Sequence, residues 1–539
     1  MPDSQTDPVS DQQIDRPVVS GGPAGTPRHV LFITVDQWRA DCLSVAGHPV
    51  VRTPSLDALA AEGVRFDRHY AQCTPCGPSR ASIHTGMYQH NHRVVNNGTP
   101  LDDRFTNLAK EVRARGFDPW LFGYTDTAAD PRQRSPLDPR LFTYEGVMDG
   151  WSSVSPITEN DPPWVAHLAS LGYSIPANFF DLYAQQDPYP KGAGRGSSFA
   201  PTVIPAEHSE TTFLTDSVIN HIKSRVASAP PGAPGFFIHA SYLRPHPPWV
   251  APEGYHDRYR PDDVPAFVRH ESIDAEMAQH PFLAGALRLD AVRAPVDDHE
   301  LRQLAATYYG LMSQVDDELG RLFSWLRTTG LWDHTLVIVT SDHGEQMGDH
   351  HLLQKLGFFE QSYHVPLIVR DPTARAAPSR GNVVTDSFTE NVDLLPTILD
   401  WLGADNAPLQ CDGRSLVPFL RGAAPPSWRT DAYWEFDFRN PLVPNQLAML
   451  GLRMEHSRLA VLRTDTHKYV HFPAMPPVLY DLTADPGELH NVADHPDQRD
   501  IRLELAERLL SRRMVTDDRT LTGTLLGSWG IHVADDRLR

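Results

Sequence analysis

Along the 539-residue chain, short continuous apolar runs alternate with longer segments in which apolar residues recur every three or four positions. The runs His29–Val35, Phe117–Phe122, Gly235–Ser241, Thr335–Thr340 and Pro366–Arg370 are rich in β-branched and aromatic residues, the pattern of strands buried on both faces of a sheet. Gly63–Tyr70 reads as a further strand. Helical spacing predicts a short helix opened by Thr53-Pro54, then Thr106–Arg115, Thr211–Ala227, Glu300–Thr328 and Val392–Leu402, with Gly116 and Gly403 as stops. This alternation fills residues 29–426 and predicts an α/β domain, a large mixed sheet flanked by helices. From residue 427 the strands shorten (Leu459–Arg463, Lys468–His471), and one late helix near Ile501–Met514 completes a smaller C-terminal α+β subdomain, residues 427–516. Residues 517–539 have little core-forming pattern and read as an arm that packs on another subunit. Residues 1–28, rich in Asp, Pro, Gly and Ser without an apolar stretch, read as a disordered tail and not a signal peptide. Two irregular stretches, 126–205 and 251–299, have the length and composition of lids or binding insertions.

Charge and cysteine content narrow the function. A formal net charge of −20 excludes nucleic acid and anionic membrane surfaces as partners, so any anionic substrate must be held by local positive charge or a metal. No apolar run reaches the roughly 20 residues that span a bilayer. Four cysteines (Cys42, Cys73, Cys76, Cys411) are too few for a disulfide framework in so long a chain, and the expected compartment is cytoplasmic.

Polar residues directly after buried strands fall at the edge of the sheet where α/β folds place their sites. Two strand ends carry such pairs, Asp36-Gln37 and Asp342-His343. Together they suggest one divalent ion held by oxygen ligands and an imidazole, a set that suits Mn²⁺ ahead of Fe²⁺, Zn²⁺ or Ca²⁺. The third feature is the run Gln72–Gly86, which contains Cys76-x-Pro78-x-Arg80 followed by Thr85-Gly86. Pro78 fits the first turn of a helix, where its missing N–H costs nothing. Cys76 then lies at the helix N-terminus, where free amides and the dipole favour developing negative charge, and Arg80 lies one turn on along the same face. Cys73-x-x-Cys76 is also compatible with a redox pair or half a zinc site, although no second CxxC completes the latter.

The Cys76 motif resembles the signature of the sulfatase branch of the alkaline phosphatase superfamily. Asp36-Gln37, Arg244-Pro245-His246-Pro247-Pro248, Thr340–Glu345, Gly348-Asp349-His350, Lys355, Glu360 and Leu479-Tyr480-Asp481-Leu482 follow in family order. Gln37 and His343 stand where common sulfatases carry an acid and an Asn. With Met87-Tyr88, Cys411–Leu416, Glu435–Arg439, Lys468–Phe472 and Asp518–Thr522, they are similar to the phosphonate monoester hydrolase/phosphodiesterase group. The resemblance implies that a formylglycine-generating maturation enzyme oxidises Cys76 to formylglycine, whose hydrate is the nucleophile toward a small anionic ester. It further implies Asp36, Gln37, Asp342 and His343 as metal ligands, Arg80 holding the nucleophile, Asn97 and Lys355 stabilising charge on the transferred group, and His246 as general acid. The expected activity is hydrolysis of phosphonate monoesters and phosphodiesters with a sulfate-ester side activity. The alternatives are an arylsulfatase, a silent anion- or metal-binding protein, and a thiol-redox protein. Tyr124 and Asp126 are candidate substrate contacts; the group has Thr where this chain has Asp126. A homodimer or homotetramer is expected.

Overall fold

The computed structural model describes residues 28–228, 230, 232–376, 383–404, 407–439 and 450–533. The expected N-terminal tail, Arg28 apart, and the last six residues of the C-terminal arm lie outside them.

The central sheet is built from β1 (His29–Val35), β2 (Val64–Phe66), β4 (Pro119–Gly123), β5 (Ser152–Pro156), β6 (Phe237–Tyr242), β7 (Thr335–Ser341), β8 (Leu367–Arg370) and β9 (Val383–Thr385), while β3 (His69–Tyr70) pairs separately with β10 (Thr389–Glu390). Its order is β5-β4-β6-β1-β7-β8-β2-β9, and only β8 runs antiparallel to its neighbours. This is the α/β architecture expected from the alternation, with a smaller C-terminal unit. Apolar side chains of β1 leave both faces of the sheet. Leu31, Ile33 and Val35 pack under helices α1 (Pro54–Glu62), α3 (Glu210–Ser228) and α4 (Asp298–Thr328). Val30 and Phe32 face α2 (Cys76–Thr85) and α5 (Leu394–Trp401). Each large side chain buried this way contributes about 1.5–3 kcal/mol.

Register is what positions the site. Val35 lies opposite Tyr242 on β6 and Ser341 on β7, all three strands parallel. They therefore end together and deliver Asp36-Gln37, Arg244–Pro248 and Asp342-His343 to one edge, while β4 ends beside β6 and delivers Tyr124 and Asp126.

Two expectations are corrected. Gly63–Tyr70 is not one strand: a turn at Asp67-Arg68 separates β2 from β3. The stretch 126–205 is not wholly irregular, since β5 adds an edge to the sheet and Pro162–Ser170 is helical. Beyond residue 427, β11 (Ala432–Asp437), β12 (Arg458–Arg463), β13 (His467–His471) and β14 (Val478–Asp481) form an antiparallel sheet. One face of it packs on α6 (Arg499–Val515) through Leu505 and Leu509, and the other on Phe282, Phe358 and Phe359. The chain then forms a hairpin, β15 (Thr524–Gly527) and β16 (Gly530–Val533). Among the described residues, no helix is long and apolar enough to cross a membrane.

Candidate active site and metal centre

Helix α2 starts at Cys76, with Pro75 as its N-cap and Pro78 in its first turn, and ends at Gly86 in the left-handed conformation that Gly adopts without strain. Its first turn is held tightly. A Cβ at Gly77 would come within 2.9 Å of the Asp126 carbonyl oxygen and 3.2 Å of Asn97 Oδ1, which accepts the Gly77 N–H at 2.9 Å. Asn97 is thus fixed at the helix start with Oδ1 committed, and Nδ2 is the group it can offer a substrate.

The helix points Cys76 into the strand ends. Asp36, Cys76, Asp342 and His343 place one ligand atom each within 4.8 Å of one another, all buried. His343 Nδ1–H donates to the Gly344 carbonyl at 3.0 Å, which leaves Nε2 with a free lone pair, 3.1 Å from Cys76 Sγ and 3.8 Å from both Asp36 Oδ1 and Asp342 Oδ2. Burial, with Lys355 nearby, keeps this imidazole well below its usual pKa and therefore neutral. The two carboxylates behave oppositely. Burial opposes ionisation of Asp36, but His246, His343, Arg80 and Lys355 outweigh it and hold Asp36 far below the usual range. Burial and the Asp36 charge push Asp342 up to about 7 against Arg80 and Lys355. Two acids that repel each other around a neutral imidazole lone pair are a donor set that a divalent cation satisfies.

Arg80, fully buried, ties the set together. Its Nε donates to Asp342 Oδ2 at 3.0 Å, and its two terminal nitrogens to Asp36 Oδ2 at 3.1 Å, the Tyr124 carbonyl at 3.1 Å and Ser241 Oγ at 2.7 Å. The Tyr124 ring lies 4.0 Å from the guanidinium and its hydroxyl donates to Asp36, so Tyr124 positions a carboxylate. Gln37 lies at the site with φ of 68°; its N–H donates to Asp342 Oδ1 at 3.2 Å and its Oε1 accepts from Lys355 Nζ at 2.6 Å. Burial disfavours the Lys355 cation, but Cys76, Asp36, Asp342 and Glu345 raise its pKa, so it stays charged.

Three expectations change. Cys76 begins a helix, yet burial and the charges of Asp36, Asp342 and Asp126 push its thiol well above the usual pKa, so the unmodified thiol is no thiolate nucleophile. No Cys73–Cys76 disulfide forms: both are free, and Cys73 Sγ sits 3.5 Å from Ser82 Oγ. His246 does not titrate near neutrality in this site, since burial and Lys355 lower it to about 4, and its Nδ1–H donates to the Pro247 carbonyl at 2.7 Å. Sequence reasoning missed three supports. Glu345 accepts from Gln37 Nε2, the Tyr308 hydroxyl donates to the Gln37 carbonyl at 2.6 Å, and Ser241 holds Arg80. Glu345 stood in the motif after β7; Tyr308 and Ser241 carry no local signal.

The sulfatase family model matches residues 28–404, and that of the N-sulphoglucosamine sulphohydrolase C-terminal region matches residues 348–515. The chain belongs to the sulfatase family. This sulfatase-family hydrolase is 42% identical over 515 residues to the multifunctional alkaline phosphatase superfamily protein PehA of Trinickia caryophylli, covering 92% of this chain and 97% of that one. The crystal structure of a phosphonate monoester hydrolase of Agrobacterium radiobacter superposes with a TM-score of 0.87 at 43% identity, covering 94% and 100% of the two chains. A phosphonate monoester hydrolase of Silicibacter pomeroyi gives 0.86 at 38%, covering 94% and 99%.

Proposed function

We propose that this protein hydrolyses phosphonate monoesters and phosphodiesters, and sulfate esters more slowly, with residue 76 acting as formylglycine. The observation that supports this most is Cys76 at the start of α2, with its sulfur 3.1 Å from His343 Nε2 among the clustered Asp36 and Asp342. The likeness to two phosphonate monoester hydrolases points the same way. A divalent cation on Asp36, Asp342 and His343, Mn²⁺ by donor type, and an aldehyde at position 76 would supply charge neutralisation and a hydrated nucleophile. Gln37, through Oε1, is the fourth candidate ligand.

The chain's own residues do the rest. Arg80 fixes the spacing of Asp36 and Asp342 and gives a fixed positive charge beneath them. Lys355 and Asn97 Nδ2 stabilise charge developing on the non-bridging oxygens. His246 carries the proton to the leaving alcohol at Nε2, because Nδ1–H is engaged by Pro247. Burial and Lys355 keep it neutral at neutral pH; the negative charge of a bound ester acts the other way and raises its pKa. A cavity of about 240 Å³ lined by Phe282, Leu289, Leu356, Phe436 and Phe438 reaches Pro75 and Lys355, and suits an organic substituent of the ester. The maturation enzyme that forms formylglycine is the partner this reading requires.

Self-association belongs to the same reading. Leu525, Leu526, Trp529 and Ile531 on the terminal hairpin are each 64–77% exposed, an apolar surface that fits another copy of the chain. Light scattering should give a dimer or tetramer for the full chain and a smaller species when it ends at residue 516. The activity is tested by kcat/KM of the matured, Mn²⁺-loaded protein on 4-nitrophenyl phenylphosphonate, bis(4-nitrophenyl) phosphate and 4-nitrophenyl sulfate. A higher value for the sulfate would make the protein an arylsulfatase.

A further inference from the structure

Beside Cys76 the site carries acidic side chains that take no part in the metal cluster. Asp126, at the end of β4, is 4% exposed, and its φ of 49° is one that few non-glycine residues adopt. Its backbone carbonyl packs against Gly77, next to Cys76. Its Oδ1 is buried without a hydrogen-bond partner, and its carboxyl lies within electrostatic range of Cys76. The Glu145 carboxyl acts on Asp126 and is itself within electrostatic range of Asp36. Tyr144 hydrogen-bonds to Glu145, is 45% exposed, and seats its Cβ over Gly98, beside Asn97. Glu159 is fixed behind them by the Thr143 hydroxyl at 2.7 Å and the Tyr144 N–H at 3.2 Å.

Among the described residues, none of Asp126, Glu145 and Glu159 forms an ion pair with Arg, Lys or His. The basic side chain acting on Asp126 is Arg80, which is committed to Asp36 and Asp342. Burial pushes the Asp126 carboxyl up to about 8 and raises Glu145 as well, so these acids hold their protons until a positive charge comes to pair with them, and a cationic group on the substrate supplies that charge. An ammonium or quaternary ammonium would pair with Asp126 and Glu145 and rest on the face of Tyr144, the geometry of cation–aromatic recognition.

We propose that the preferred esters of this protein carry a positively charged group, bound by Asp126, Glu145 and the Tyr144 ring. This rests on the ester-hydrolase reading above and names the substrate class within it. The cation can stand on the group retained by phosphorus or on the leaving alcohol; the charge chemistry is shared.

The experiment uses matched pairs in which a cation replaces a neutral group of the same shape. For the retained group, 4-nitrophenyl 2-aminoethylphosphonate is compared with 4-nitrophenyl propylphosphonate. For the leaving group, the 2-(trimethylammonio)ethyl ester of phenylphosphonate is compared with its 3,3-dimethylbutyl ester. In at least one pair, kcat/KM of the matured protein should favour the cationic member by about tenfold, and this ratio should fall toward one in Asp126→Asn, Asp126→Thr and Glu145→Gln. The ratio is the readout, so a general loss of activity in a variant does not mimic the result. Calorimetry of the same pairs on the Cys76→Ala protein reads the preference without turnover. Absence of hydrolysis of all four esters would sink the ester-hydrolase reading alone. Equal or better binding and turnover of the neutral members in both pairs, or a preference unchanged by the three variants, would overturn the cation site.

Discussion

Acid should remove a divalent cation from the Asp36–Asp342–His343 cluster before it disturbs the rest of the site. The reason lies in how the two carboxylates divide their protons. Asp36 stays ionised, held far below the usual carboxylate range, while burial and the Asp36 charge push Asp342 up to about 7. His343 is neutral throughout, so it releases no proton to the cation. Below about pH 7 the cation must therefore displace one proton, from Asp342, and apparent affinity falls about tenfold per pH unit, or about 1.4 kcal/mol. At pH 5.5 the affinity is about thirtyfold below its value well above pH 7. Linkage gives the matching stability trend. The folded pKa of Asp342 lies above its unfolded value, so its contribution to the metal-free fold is fully present below about pH 4 and is lost as pH rises through about 7. The assay is Mn²⁺ titration calorimetry on the Cys76→Ala protein, which removes any proton from position 76, in buffers of different ionisation enthalpy. About one proton should be released per ion near pH 5.5 and almost none near pH 8.5, and Asp342→Asn should abolish the release along with most of the affinity. Affinity that is flat with pH, or proton release unchanged in Asp342→Asn, would refute the division of charge.

Other perturbations reach other parts of the site. Arg80→Met leaves two buried carboxylates without their shared cation and should cost about 3–5 kcal/mol in chemical denaturation of the metal-free protein, whereas bound Mn²⁺ should recover part of it. Gly77→Ala forces the helix start away from Asp126 and Asn97; kcat should fall by about 10- to 100-fold, with little change in unfolding temperature. His246→Ala should slow esters of alkyl alcohols by about 10²–10⁴-fold and 4-nitrophenyl esters far less, because nitrophenolate leaves without a proton. His343→Asn exchanges an imidazole for an amide oxygen and should shift metal selectivity from Mn²⁺ toward Ca²⁺, read by affinity for each ion.

The parts of this architecture that were legible in the sequence are those where one physical requirement acts on contiguous residues. β1 and β7 must be apolar on both faces, so they read as unbroken runs, and the polar pairs that follow mark the sheet edge. The start of α2 was legible because Pro78 tolerates only a first turn. β5 was not, because Ser152–Pro156 is a polar edge strand whose face is partly exposed, and an edge needs no apolar run. Nor was the break between β2 and β3, where a turn interrupts an otherwise strand-like pattern. Within the site, the chain-distant pairings escaped: Ser241 and Tyr308 contact Arg80 and Gln37 only because three strands end in register with a long helix behind them. The ionisation state of His246 was invisible for the same reason, since it is set by burial and by Lys355, 109 residues away in the chain.

Whether residue 76 works as formylglycine is read from the mass of the tryptic peptide His69–Arg80. In protein made together with a formylglycine-generating enzyme, the account predicts a mass deficit matching thiol-to-aldehyde conversion, localised by fragmentation to position 76, with Cys73 still a thiol and activity rising with the converted fraction. A peptide with both thiols intact, from protein that nevertheless hydrolyses 4-nitrophenyl phenylphosphonate at full rate, would contradict it.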